Sequence, residues 1–250
     1  MNNIKLQNIL SYLQKRNWTI HSEEDGFYKM LPPDDLDFEE NALLYIAKNE
    51  ESRSYQSQVE GVLGKDGIAD IYKVDAEDLM LSLRNNGTIL TCRLESSAFD
   101  KKAIGMTSFL QLTSSLNQIL EVAAEYALKG NSAAVKAYVG HCNLVKLEVD
   151  KLLLKIELPS DLSIGLGEKK SVEAESVNEQ LYDAFQFYQS KNEVDNKLVK
   201  GDLRFWRLQC VIDDFVQSSA LKKMDFRFFN QDWEKEVCVG LKNENCLEAV

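Results

Sequence analysis

Residues 103–130 read AIGMTSFLQLTSSLNQILEVAAEYALKG, and the period of their apolar side chains decides the architecture. Phe109, Leu112, Leu116, Ile119, Ala123 and Tyr126 recur every three or four positions, so they line one side of a helix. Leu110, Leu120, Val122 and Ala127 broaden that side into an apolar band. No formal charge falls between Ala103 and Leu120, which predicts that most of the circumference meets other protein. Eight Thr, Ser, Gln and Asn residues between Thr107 and Gln118 make the segment too polar to face lipid. The expectation is a central helix buried between layers.

Toward the N-terminus, Ile4, Leu6, Ile9, Leu10 and Leu13 predict a helix closing at Lys15-Arg16, where cations suit the carbonyl end. Trp18–Ile20 and Phe27–Leu31 flank SEEDG and read as a β-hairpin. The acidic run from Asp34 to Glu40 lacks the turn glycine and final glutamate of a calcium loop. It reads instead as the charged N-terminus of a helix containing Leu43, Leu44, Ile46 and Ala47. A helix over Ser52–Leu63 follows. The glycines of Gly61-Val-Leu-Gly64-Lys-Asp-Gly67 come after a helix rather than between strand and helix, so they mark a stop and a turn, not a phosphate loop. Ile68–Val74 reads as a strand, Leu79–Leu83 fits either element, and Asn85-Asn86-Gly87 is a tight turn before a strand over Thr88–Leu94.

Beyond the central helix, Gly130-Asn131-Ser132 is the expected boundary between halves 1–130 and 131–250. In LVKLEVDKLLLKIEL the alternation changes parity at Asp150-Lys151. A hairpin there pairs 149 with 152, 147 with 154 and 145 with 156, placing six apolar side chains on one face. Residues 159–173 read as a polar loop. Helices are expected over 175–190 and 202–222, and closing strands over Met224–Phe229 and Val237–Leu241. The fold class is α+β: antiparallel hairpins and short sheets packed around a long central helix, in two halves.

The chain has 250 residues, 44% hydrophobic and 28% charged, a composition that supports a packed core rather than disorder. No secretory signal opens it, so a cytoplasmic location is expected. Cys92, Cys142, Cys210, Cys238 and Cys246 form no Cys-x-x-Cys pair, and with His21 and His141 they show no zinc-ligand spacing; no metal site is expected. The net charge of −11 disfavours duplex nucleic acid and permits a basic protein partner, though solubility alone explains such a charge in many proteins; self-association into a homo-oligomer is also compatible.

Motifs of serine hydrolases, zincins, dinucleotide-binding folds and kinases are missing, and two histidines leave little for acid–base catalysis. The leading expectation is therefore a non-catalytic interaction module, an adaptor or regulatory subunit without a cofactor. Its contacts would come from free hairpin edges or from the aromatic-rich C-terminal third, with Trp206 and Phe229 as binding residues. Lys197, Lys200, Arg204 and Arg207 follow at intervals of three and four, so Arg204 and Arg207 could instead hold a small anionic ligand. An alternative is a magnesium-dependent nuclease or other phosphoryl-processing enzyme. It would use Asp70 on a strand as metal ligand, with Asp100 and Lys102 supplying a D-x-K triplet.

Overall fold

The computed structural model describes residues 4–38, 42–96, 104–160, 163–167, 170–193, 203–219 and 221–240. The chain forms two compact units: one comprises 1–87 with Phe229–Trp233, the other 88–228 with 234–250. This division differs from the expected halves at 130/131. Antiparallel sheets and helices make up both units, which establishes the α+β class.

Unit 1 contains α1 (Leu6–Lys15), β1 (Thr19–Glu24), β2 (Phe27–Leu31), β3 (Leu44–Ala47), α2 (Tyr55–Leu63), α3 (Ile68–Ile71) and α4 (Ala76–Asn85). The β1–β2 hairpin turns through Asp25 and Gly26, both at positive φ, and β3 adds to β2 as the third strand. Two expectations fail here. Leu44–Ala47 is a strand, not a helix, because Tyr45 and Ile46 pair with Lys29 and Tyr28 of β2. The preceding Asp34–Phe38 makes a turn, with Leu36 N–H on the Pro33 carbonyl at 3.2 Å; Glu39 and Glu40 lie outside the described residues. Ile68–Val74 is no strand either: Ile68–Ile71 is one helical turn that buries the adjacent Ile68 and Ala69 together, which an alternating strand could not do. Leu79 and Leu83 prove helical, one turn apart on the buried side of α4. Asp75 caps that helix by accepting the Asp78 N–H at 2.9 Å, and Asn86 ends it in the left-handed conformation.

Unit 2 contains β4 (Thr88–Ser96), α5 (Met106–Ala127), α6 (Ser132–Val139), β5 (Asn143–Glu148), β6 (Leu153–Leu158), β7 (Ser163–Gly167), β8 (Lys170–Glu173), α7 (Ala174–Glu193), α8 (Leu203–Ser218), β9 (Leu221–Phe229) and β10 (Glu234–Gly240). Five strands form one sheet in the order β10-β9-β4-β6-β5, while β7 and β8 make a separate hairpin where a polar loop was expected. The β5–β6 hairpin pairs Leu147 with Leu154 as expected, but Leu144 rather than Val145 faces Ile156. A bulge between Leu144 and Lys146 takes up the extra residue and moves Val145 off the shared face. Helix α7 lies on the sheet, its Phe185 ring 4.4 Å from that of Phe226 and 6.1 Å from that of Phe228.

The long helix α5 packs against α6, α7 and α8. Leu112, Leu116, Ile119, Leu120, Val122 and Ala123 fill its buried side. It is not enclosed all round, however. Met106, Leu110, Ser114, Asn117 and Gln118 are exposed, so the missing charge does not mark burial. Gly130-Asn131 makes the corner into α6, whose first turn Asn131 caps through the Ala134 N–H at 3.1 Å. Among the described residues, no helix is long and apolar enough to cross a membrane.

Candidate interaction surface

Of the four expected binding residues, only two have side chains described at a surface. Trp206 stands in the first turn of α8 with 56% of its surface exposed. Arg207 beside it is exposed, and its Nη1 donates to Glu125 Oε2 near the end of α5. Arg204 belongs to the same turn by its backbone, but its side chain lies outside the described atoms, as do Lys197 and Lys200 altogether. Phe229 is not a contact residue: at 2% exposure it completes the core of unit 1. Its neighbours in sequence share that fate. Phe185, Tyr188, Phe226 and Phe228 are buried, because alternate positions of β9 and one side of α7 pack on each other. Among the described side chains, the aromatic concentration of the C-terminal third is therefore mainly core, with Trp206 exposed.

The platform beneath Trp206 is rigid for identifiable reasons. Leu208, Ile212 and Phe215 are buried at helical spacing and hold α8 down. Tyr188 of α7 donates its hydroxyl to Asp213 Oδ1 at 2.8 Å, which fixes α8 against its neighbour. An exposed indole on such a helix, next to an arginine paired with a carboxylate, presents a large amphipathic contact area.

Asp70 sits on α3 rather than on a strand, and its Oδ2 accepts the Asp66 N–H at 2.8 Å. The strand geometry that a carboxylate–lysine metal site requires is thus lacking at Asp70, while Asp100 and Lys102 lie outside the described residues. No group of three or more His, Cys, Asp or Glu side chains able to hold a metal occurs among the described residues.

One polar constellation escaped the reading of the sequence. Glu175, in the first turn of α7, accepts three donors on Oε2: Thr88 Oγ1 at 2.9 Å, Ser160 Oγ at 2.9 Å and Asn178 Nδ2 at 3.1 Å. Asn178 also donates to the Pro159 carbonyl at 2.9 Å and accepts the Tyr138 hydroxyl at 2.6 Å. Burial pushes the Tyr138 phenol well above its ordinary pKa, so it stays a donor. A serine hydroxyl beside a glutamate resembles a nucleophile and base. Here, though, the hydroxyl and its neighbours saturate one carboxylate oxygen, and the group works as a clasp joining β4, the end of β6, α6 and α7.

The sheet face turned away from α7 is polar. Alternation from Phe226 and Phe228 assigns Lys223, Asp225 and Arg227 to that reverse face, and their charges are matched locally. Lys223 Nζ donates to Asp225 Oδ2 at 2.8 Å, and Arg227 lies 3.7 Å from Glu234. Further along the sheet, Lys146 and Lys151 both reach Glu148 and hold its carboxyl down at about 2. Asp225 is itself buried, so its pairing offsets a charge held away from water, and the local pairing leaves few charges aimed outward for a ligand.

No family model, curated protein or solved structure matches this chain.

Proposed function

We propose that the protein is a non-catalytic interaction module, an adaptor or regulatory subunit of a cytoplasmic assembly, and that it docks a second protein through Trp206 and the adjoining turn of α8. The observation that carries this reading is the exposure of Trp206 on a helix otherwise anchored by its buried side. Tryptophan and arginine are over-represented among residues that dominate binding energy, and here they stand side by side on a braced element. The net charge of −11 favours a basic partner and fast, salt-sensitive association. Four described cysteines are free thiols, in keeping with a reducing compartment.

Affinity purification of the tagged full chain from its own host, read by native mass spectrometry, tests the proposal. A stoichiometric second polypeptide is expected with the wild type. Titration of that polypeptide against Trp206→Ala should show binding weakened by at least about thirtyfold, the effect of losing roughly 2 kcal/mol at a central contact. Far-UV circular dichroism should be unchanged, since the indole is exposed. Equal affinity for both proteins would remove Trp206 from the interface. Magnesium-dependent cleavage of nucleic acid that Asp70→Ala abolishes would instead establish the enzymatic alternative.

A further inference from the structure

The outer side of α5 carries a feature that the packing of unit 2 leaves unexplained. From Met106 to Leu120 there is no charged residue, in a chain that is 28% charged. Burial does not account for this, because Met106 is 73% exposed, Leu110 is 59% exposed, and Ser114, Asn117 and Gln118 are open to solvent. Solvent-facing helix positions ordinarily carry charge, and the neighbouring helices obey that rule: Glu179 and Asp183 are exposed on α7, as are Arg207 and Asp214 on α8. Exposed charge also marks α6 at Lys136, so the helices packed against α5 all carry it where this stretch of α5 does not.

We propose that this side of α5 is the interface of a homodimer, covered by the same helix of a second copy. Charge selects the occupant. Each copy carries −11, so two copies repel across most of their surfaces and approach with least Coulomb cost where charge is absent. A basic partner, by contrast, would be drawn to acidic ground. Two-fold symmetry places one surface patch against itself. A crossing centred on Leu110 brings the two most exposed apolar side chains, Met106 and Leu110, to the middle, with Ser114 one turn away and small enough for close approach. Toward the C-terminal end of α5 the first exposed charge, Glu121, then stands roughly 33 Å from its symmetry mate at 1.5 Å per residue. That separation is several times the Debye length of about 8 Å at physiological salt. This interface is separate from the Trp206 surface and does not depend on it.

Sedimentation equilibrium of the full chain, at low and high salt, tests the proposal. The wild type should dimerise in the micromolar range, and added salt should tighten the dimer by screening the mutual repulsion. Leu110→Glu, at an exposed position, should raise the dissociation constant on the order of a hundredfold by placing two carboxylates at the dyad. Its thermal melt should match that of the wild type. Should that melt differ, Ser114→Lys applies the same like-charge test at another exposed site and is expected to give the same loss. A wild type that stays monomeric at both salts overturns the proposal. So does a dimer that survives these substitutions or that Trp206→Ala dissociates.

Discussion

Glu175 and Asn178 show how much one polar residue can hold when every partner is satisfied. Replacing Asn178 by alanine takes the acceptor from the buried Tyr138 hydroxyl and a donor from the Pro159 carbonyl at once. Each buried group left without a partner costs about 1–3 kcal/mol, so Asn178→Ala should lower the stability of unit 2 by roughly 2–6 kcal/mol in urea titrations followed by circular dichroism. Glu179→Ala, one residue on and exposed, is the control and should change little. Equal effects would mean that the clasp contributes nothing specific. None of this was legible beforehand. Thr88, Tyr138, Ser160 and Glu175 come from four separated segments, and no fixed spacing links them. Phe229 was misread for a related reason: aromatic content reports hydrophobic surface, and whether that surface is core or contact depends on packing partners far along the chain.

At the level of elements, legibility followed length. The 22 residues of α5 repeat the helical period often enough to be unmistakable, while β3 and α3 have four residues each and took their form from neighbours. Of the three glycines read as a stop and a turn, Gly64 and Gly67 lie between α2 and α3 as expected, whereas Gly61 does not, and their surroundings separate their roles. Gly61 lies inside α2, and a Cβ there meets nothing within 4 Å. Gly67 stands at the start of α3, where a Cβ would come to 2.2 Å from the Val62 carbonyl oxygen, a backbone atom that cannot swing away. Thermal unfolding should therefore move in opposite directions. Gly61→Ala should stabilise by about 0.5–1 kcal/mol, through lower chain entropy when unfolded. Gly67→Ala should destabilise by on the order of 2 kcal/mol or more, because the α2–α3 corner must open. Stabilisation by both would contradict the close approach.

On the scale of the whole molecule, the division of the chain was the least legible property. The breaker Gly130-Asn131-Ser132 has the composition of a boundary, yet it turns the corner between α5 and α6 inside one unit, with Asn131 serving as a cap. The division instead falls at Gly87–Thr88, directly after the Asn85-Asn86-Gly87 turn that enters β4. Unit 1 also recruits Phe229–Trp233 from far along the chain, which no local pattern announces. Phe229→Ala gives that recruitment a measurable consequence. Loss of a fully buried phenylalanine should cost about 3–5 kcal/mol. Hydrogen exchange should then show lost protection in α1 and α4 of unit 1, with α7 retaining its own. Uniform loss across both units would mean that Phe229 does not belong to one core.

The recruitment of Phe229 also sets an order of events during synthesis. A ribosome that has just released Gly87 has delivered every helix and strand of unit 1, but its core still lacks a side chain that arrives ~140 residues later. At roughly 5–20 residues per second, the nascent unit waits on the order of 7–28 s with that place unfilled. The first unit to emerge therefore gains its last core side chain only when the chain is almost finished.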